Sequence, residues 1–102
     1  MPLAYEQAYK VGGTGQTVTS SGTSANTTIP LMADGVTKAK FVRLQVTGQL
    51  YVKFGLAGIV ATTNDMLLSP NFDVIVACYP YTTIAYIQES ANAKLNITPL
   101  EA

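Results

Sequence analysis

The sequence predicts an all-β fold: an antiparallel two-sheet sandwich of jelly-roll type, about eight short strands, with a flexible N-terminal arm. Three observations point there. β-Branched residues are plentiful, with 9 Val, 6 Ile and 13 Thr among 102 residues, and these side chains suit a pleated, half-buried surface. From Ile29 onward the apolar positions recur mostly every second residue, which is the period of a strand. Turn signals, Asp34-Gly35 and Ser69-Pro70-Asn71 among them, punctuate the chain at short intervals. An immunoglobulin-like sandwich or a small barrel is the second architecture that fits. The length suits a single core, since domains cluster near roughly 100–150 residues.

Residues 14–28 read TGQTVTSSGTSANTT, with Val18 as the one sizeable apolar side chain. Such a tract buries little by itself, so it is expected either as an exposed arm or as an edge strand ordered by a neighbouring chain. Ahead of it, Ala4, Tyr5, Ala8 and Tyr9 fall at helical spacing in a segment too short to hold as an isolated helix. The predicted division is an arm or edge segment over residues 1–28 and a β-sandwich domain over 29–102. Gly12-Gly13-Thr14-Gly15-Gln16-Thr17 lacks the Lys of a phosphate loop and reads as flexible linker.

In Lys40-Phe41-Val42-Arg43-Leu44-Gln45-Val46 the residues Val42, Leu44 and Val46 share one face, opposite Arg43 and Gln45. In Leu50-Tyr51-Val52-Lys53-Phe54 the inward set is Leu50, Val52 and Phe54. Uniting the two sets in one antiparallel pair predicts a hairpin with Val46 opposite Leu50, Leu44 opposite Val52 and Val42 opposite Phe54. Its loop is Thr47-Gly48-Gln49, with the glycine central where such loops usually want it last. Ile29-Pro30-Leu31-Met32, Met66-Leu67-Leu68 and residues 72–78, 83–88 and 94–98 are the remaining predicted strands, with Tyr79-Pro80-Tyr81-Thr82 and Glu89-Ser90-Ala91-Asn92 as connections.

Two strands are apolar on both sides. Val74, Val76 and Cys78 face one way and Ile75 and Ala77 the other; Ala85 and Ile87 are assigned to the core while Ile84 and Tyr86 look away. A small sandwich covers each sheet on one face only, so a second covering layer is expected, from another subunit or from the arm folded back. Covering Ile75, Ile84 and Tyr86 is worth several kcal/mol at roughly 25 cal/mol per Å², before association entropy is subtracted. The expected oligomer or capsid interface residues are Tyr5, Tyr9, Val18, Ile75, Ala77, Ile84 and Tyr86.

Composition narrows the function. Six Lys+Arg balance six Asp+Glu, so no basic field exists for a phosphate backbone. The absence of His and the single Cys argue against zinc clusters, Ser-His-Asp and Cys-His nucleophiles and an intrachain disulfide. Neither an enzyme nor a cofactor is expected, and the partners expected exclude nucleic acid, membranes and small-molecule substrates. Charged residues form 12% of the chain, about half the usual roughly 25%, and such a surface is cheap to desolvate against another protein. No signal-like apolar stretch follows Met1-Pro2-Leu3, so the chain is expected to be cytosolic when made. Asp65, Asp73 and Glu89 lack the spacing of a calcium loop. Tyr79 and Tyr81 flank Pro80 in an aromatic corner that suits a sugar or peptide.

Phe41-Val42-Arg43-Leu44, Gly48, Tyr51-Val52-Lys53-Phe54-Gly55, Val60-Ala61-Thr62, Asp65-Met66-Leu67-Leu68, Ile84-Ala85-Tyr86-Ile87 and Leu95-Asn96-Ile97-Thr98 together resemble a pattern in small structural proteins of tailed bacteriophages. The resemblance covers about the C-terminal two-thirds of the chain and is one of strand pattern and composition; residues 1–28 lie outside it. It implies a noncatalytic virion component of the capsid decoration (cement) type, made in the host bacterial cytoplasm. The implied partners are itself, as a dimer or trimer, and the major capsid protein. The alternative is a receptor- or carbohydrate-binding module of a phage tail or head fibre, using Tyr79 and Tyr81. On the arm reading, truncation before Ile29 leaves the sandwich folded and weakens shell attachment.

Overall fold

Nine strands form among the described residues, the longer ones from alternating apolar runs. The structure, a computed structural model, describes residues 10–101. Its strands are β1 (Lys10–Val11), β2 (Gln16–Thr19), β3 (Ala25–Thr28), β4 (Phe41–Val46), β5 (Leu50–Gly55), β6 (Met66–Leu68), β7 (Val74–Ala77), β8 (Thr83–Gln88) and β9 (Lys94–Glu101). No helix occurs among the described residues. All strand pairs are antiparallel and form two sheets. One has the order β1-β9-β4-β7, with β2 also bonded to β9; the other has the order β3-β8-β5-β6. β1 and β2 pair with successive stretches of the same strand, Val11 opposite Leu100 and Gln16 opposite Ile97.

The core lies between the sheets. Val42, Leu44 and Val46 enter it from β4, Leu50 and Val52 from β5, and Leu95 and Ile97 from β9, all nearly inaccessible to solvent. The inward faces of β4 and β5 are those the alternation predicts, but the predicted hairpin between them does not form. β4 pairs with β7 and β9, whereas β5 pairs with β6 and β8. Thr47-Gly48-Gln49 therefore carries the chain from one sheet to the other. The two apolar sets meet face to face across the core instead of side by side in one sheet. Both arrangements bury the same side chains, so alternation specifies which residues point inward and leaves the pairing open.

The boundary expected at residue 28 is not a seam. β2 lies along β9 and β3 along β8, with Thr27 opposite Ile84, so both strands are ordered by their own chain. Ladder hydrogen bonds and cross-strand packing hold a Thr-rich segment that has little apolar surface of its own. The glycine run before β2 is packed rather than free. The Gly12 amide donates to the Pro99 carbonyl at 2.8 Å, and the Ala33 amide donates to the Gly12 carbonyl at 2.7 Å. A Cβ on Gly13 would stand 2.8 Å from the Leu31 carbonyl oxygen, closer than carbon approaches oxygen there without moving backbone.

Ile29-Pro30-Leu31-Met32, expected as a strand, contributes only a bridge between Leu31 and Lys38. The turn signalled by Asp34-Gly35 is present between them. Gly35 has φ 73°, and the Asp34 carboxylate accepts the amides of Val36 and Thr37 and the Thr37 hydroxyl. That cluster holds the Asp34 carboxyl below its ordinary pKa, the Thr37 hydroxyl first and the two amides after it.

The orientation expected for β8 is reversed. Ile84 and Tyr86 belong to the core, with Ile84 fully buried, while Ala85 and Ile87 point outward. Register sets this: Ile84 stands opposite Phe54, and Tyr86 opposite Val52. The physical reason is size. The outward row of Gly55, Thr83 and Ala85 is small enough for the connection after β5 to lie over it. Ile59 packs so closely there that a Cβ on Gly55 would fall 2.8 Å from Ile59 Cγ2. The Asn26 side-chain amide donates to the Ile59 carbonyl at 3.2 Å, and the Ala61 amide donates to Ser24 Oγ at 2.8 Å. The chain's own β5–β6 connection thus packs against Gly55 and bonds to Asn26, the residue opposite Ala85, which is fully buried.

Candidate docking surfaces

With Ile84 and Tyr86 inside, the residues expected to form one contact face separate. Val18 is half-buried, packs against the core and stands opposite Leu95. It is a rim residue of the interior rather than an outward contact. Tyr5 and Tyr9 lie outside the described residues. Ile75 and Ala77 face solvent from β7, while Val74 and Val76 pack inward against the core. Ile75 is 47% exposed.

The charges nearest Ile75 are paired with each other. Arg43 stands beside it on β4, and its guanidinium lies 3.8 Å from the Asp73 carboxylate just ahead of β7. Both side chains are well exposed, so this pair contributes no more than about 1 kcal/mol. It does neutralise the charges nearest the strand within one molecule.

The structure adds apolar residues that the sequence reading did not single out. Met66, Leu67 and Phe72 are all exposed, Phe72 at 71%. They lie on or beside β6 and β7, each an edge strand of its own sheet. On the outer face of the second sheet, Leu67 stands opposite Tyr51, which in turn stands opposite Ile87. A three-residue strand is too short for alternation to reveal its faces. Phe72 follows a turn with Asn71 at φ 74°, so no periodicity assigns it a side. The detectable signal was the density of large apolar residues on either side of Ser69-Pro70-Asn71.

Tyr79 and Tyr81 form a corner after β7, joined through Pro80 by a cis Tyr79–Pro80 peptide. The Tyr81 amide donates to the Cys78 carbonyl at 2.8 Å and closes the turn. Both rings are exposed. Tyr81 borders a notch with Ile29, Leu31, Lys38 and Ala39 of about 90 Å³. That is well below the roughly 300 Å³ at which small-molecule pockets begin. A wider cleft of about 310 Å³ runs past Met32, Lys38, Lys40 and Glu101.

Cys78 ends β7's inward row. Its thiol is fully buried and donates to the Ala39 carbonyl at 3.3 Å, and burial pushes its pKa up. It is a core side chain. Among the described residues no group of three or more His, Cys, Asp or Glu side chains gathers closely enough to hold a metal ion. No protein-family model, curated protein or solved structure matches this chain.

Proposed function

We propose that the protein is a noncatalytic structural subunit of a phage virion, a decoration protein that attaches to the capsid shell and stabilises it by contacts between subunits. The observation that carries this reading is the sandwich edge at β6 and β7, where Met66, Leu67, Phe72 and Ile75 expose apolar surface. A charge-poor β-unit of this kind can be desolvated against protein at low electrostatic cost. Repeated by symmetry, modest contacts of this type add up over a shell.

The strand order supports the finer reading of the fold as a jelly roll. The pairings β2-β9-β4-β7 and β3-β8-β5-β6 interleave the strands so that successive strands mostly alternate between the sheets. That arrangement of eight strands is used by viral capsid and lectin domains alike, so the fold by itself does not select between them. The small notch beside Tyr81 favours protein contacts over a seated sugar.

The test is cosedimentation of the purified protein with empty shells of the phage that encodes it, stripped of decoration. Saturable binding at a fixed ratio to the major capsid protein is the expected result. Absence of binding, together with a glycan-array signal lost in Tyr81→Ala, would replace the proposal with the fibre-module alternative.

A further inference from the structure

We propose that β7 is a self-association edge, pairing antiparallel with β7 of a second copy about a two-fold axis, so that one sheet runs continuously through two protomers. The inference rests on reading the protein as an assembly subunit and names the partner of the β6/β7 side. It follows from comparing the strand edges among the described residues. Natural edges are blunted by charge, proline, bulges, shortness or a covering loop, because an open edge templates pairing with another chain.

The edge formed by β1 and β2 is broken by the packed glycine segment between Val11 and Gln16. β3 is flanked by the β5–β6 connection, since Asn26 holds the Ile59 carbonyl and Ser24 holds the Ala61 amide. It is also tied to β2 across the sheets, where the Gln16 side-chain amide donates to Thr27 Oγ1 at 2.7 Å. β6 is three residues long. β7 is one residue longer than β6; Val74-Ile75-Val76-Ala77 carries no charge and no proline, and it bonds to β4 on one side only.

A second copy is the occupant that the chemistry favours. An antiparallel pair of identical strands is self-complementary about a two-fold axis, so each residue finds its counterpart without any new sequence. The approach brings together no unpaired like charges at the strand, because Asp73 is already engaged by Arg43 and the chain has zero formal net charge. The exposed side chains of Phe72 and Ile75 lie beside and on the strand.

Sedimentation velocity across a concentration series tests this, read together with amide exchange of β7. The expected species at about 100 μM, where a standard interface is well populated, is a dimer of twice the 10.8 kDa chain mass. Ile75→Lys, an outward charge on the edge, should weaken the dimer by roughly tenfold or more and speed exchange of the β7 amides. Thr17→Lys on the opposite side should leave the dimer intact. A wild-type monomer or trimer at that concentration, or a dimer unchanged by Ile75→Lys with β7 amides freely exchanging, would overturn the proposal. A monomer that still cosediments with shells removes only the pairing, and a dimer that ignores shells removes only the decoration reading.

Discussion

Ser20 and Ala93 hold each other from both directions: the Ser20 amide donates to the Ala93 carbonyl at 2.8 Å, and the Ala93 amide donates to Ser20 Oγ at 2.9 Å. Both residues are buried and 73 positions apart in sequence. The clasp fastens the end of β2 to the turn before β9, and so fixes the Thr-rich segment to the rest of the sandwich. Ser20→Ala strands a buried amide without an acceptor and should destabilise the fold by about 1–3 kcal/mol, measured by urea denaturation. Deleting residues 1–28 removes β1, β2 and β3 together. The truncated chain should lose cooperative unfolding, contrary to the outcome expected if this segment were a detachable arm.

Ile84 and Ile75, both expected to look outward, should respond differently to truncation. Ile84 is fully buried opposite Phe54, so Ile84→Ala should cost about 2–5 kcal/mol. Ile75→Ala, at a concentration where the chain is monomeric, should stay within about 0.5 kcal/mol of the parent. Equal losses at both positions would contradict the register of β8.

Cys78 offers a probe of core integrity without mutation. Burial raises its pKa and removes it from solvent, and nucleophilic attack on a disulfide reagent requires an accessible thiolate. The folded protein should react with such a reagent many times more slowly than the urea-unfolded chain. Comparable rates at neutral pH would mean that the inward row of β7 is open.

Asp34 provides a pH signature at the surface. Its folded pKa is depressed by the Thr37 hydroxyl and the Thr37 and Val36 amides. The stabilisation it gives the turn is therefore present above the unfolded carboxylate value near ~3.9 and is lost as pH falls through the lower folded midpoint. In an NMR titration the Asp34 carboxyl should have its midpoint below that of an unstructured Asp, with the Val36 and Thr37 amides shifting in step. Asp34→Asn should abolish the coupled amide shift while leaving the core signals in place.

Several outcomes trace to how much of a residue's fate is local. The inward faces of β4 and β5 were legible because alternation reports which side chains avoid water, and Val42, Leu44, Leu50 and Val52 are all buried. The outward side of β7 was assigned correctly although residues 74–78 are all apolar, and Asp73 shares the parity of Ile75 and Ala77. The orientation of β8 was not legible. Ile84-Ala85-Tyr86-Ile87 is apolar throughout, and alternation has no polar face to read. Met66, Leu67 and Phe72 escaped notice because a short strand and a turn residue have no period.

The amino-acid order alone determined that this chain is built of strands, where its turns at Asp34-Gly35 and Ser69-Pro70-Asn71 fall, and which face of β4, β5 and β7 seeks the interior. These are consequences of side-chain chemistry at neighbouring positions. Only the tertiary structure decided that β4 and β5 lie in different sheets, that residues 16–19 and 25–28 join the chain's own sheets, and that Ile59 packs against Gly55. Strand pairing is made by backbone amides and carbonyls that every residue but proline carries, so a partner is selected by packing across distant segments and leaves no mark in the local sequence.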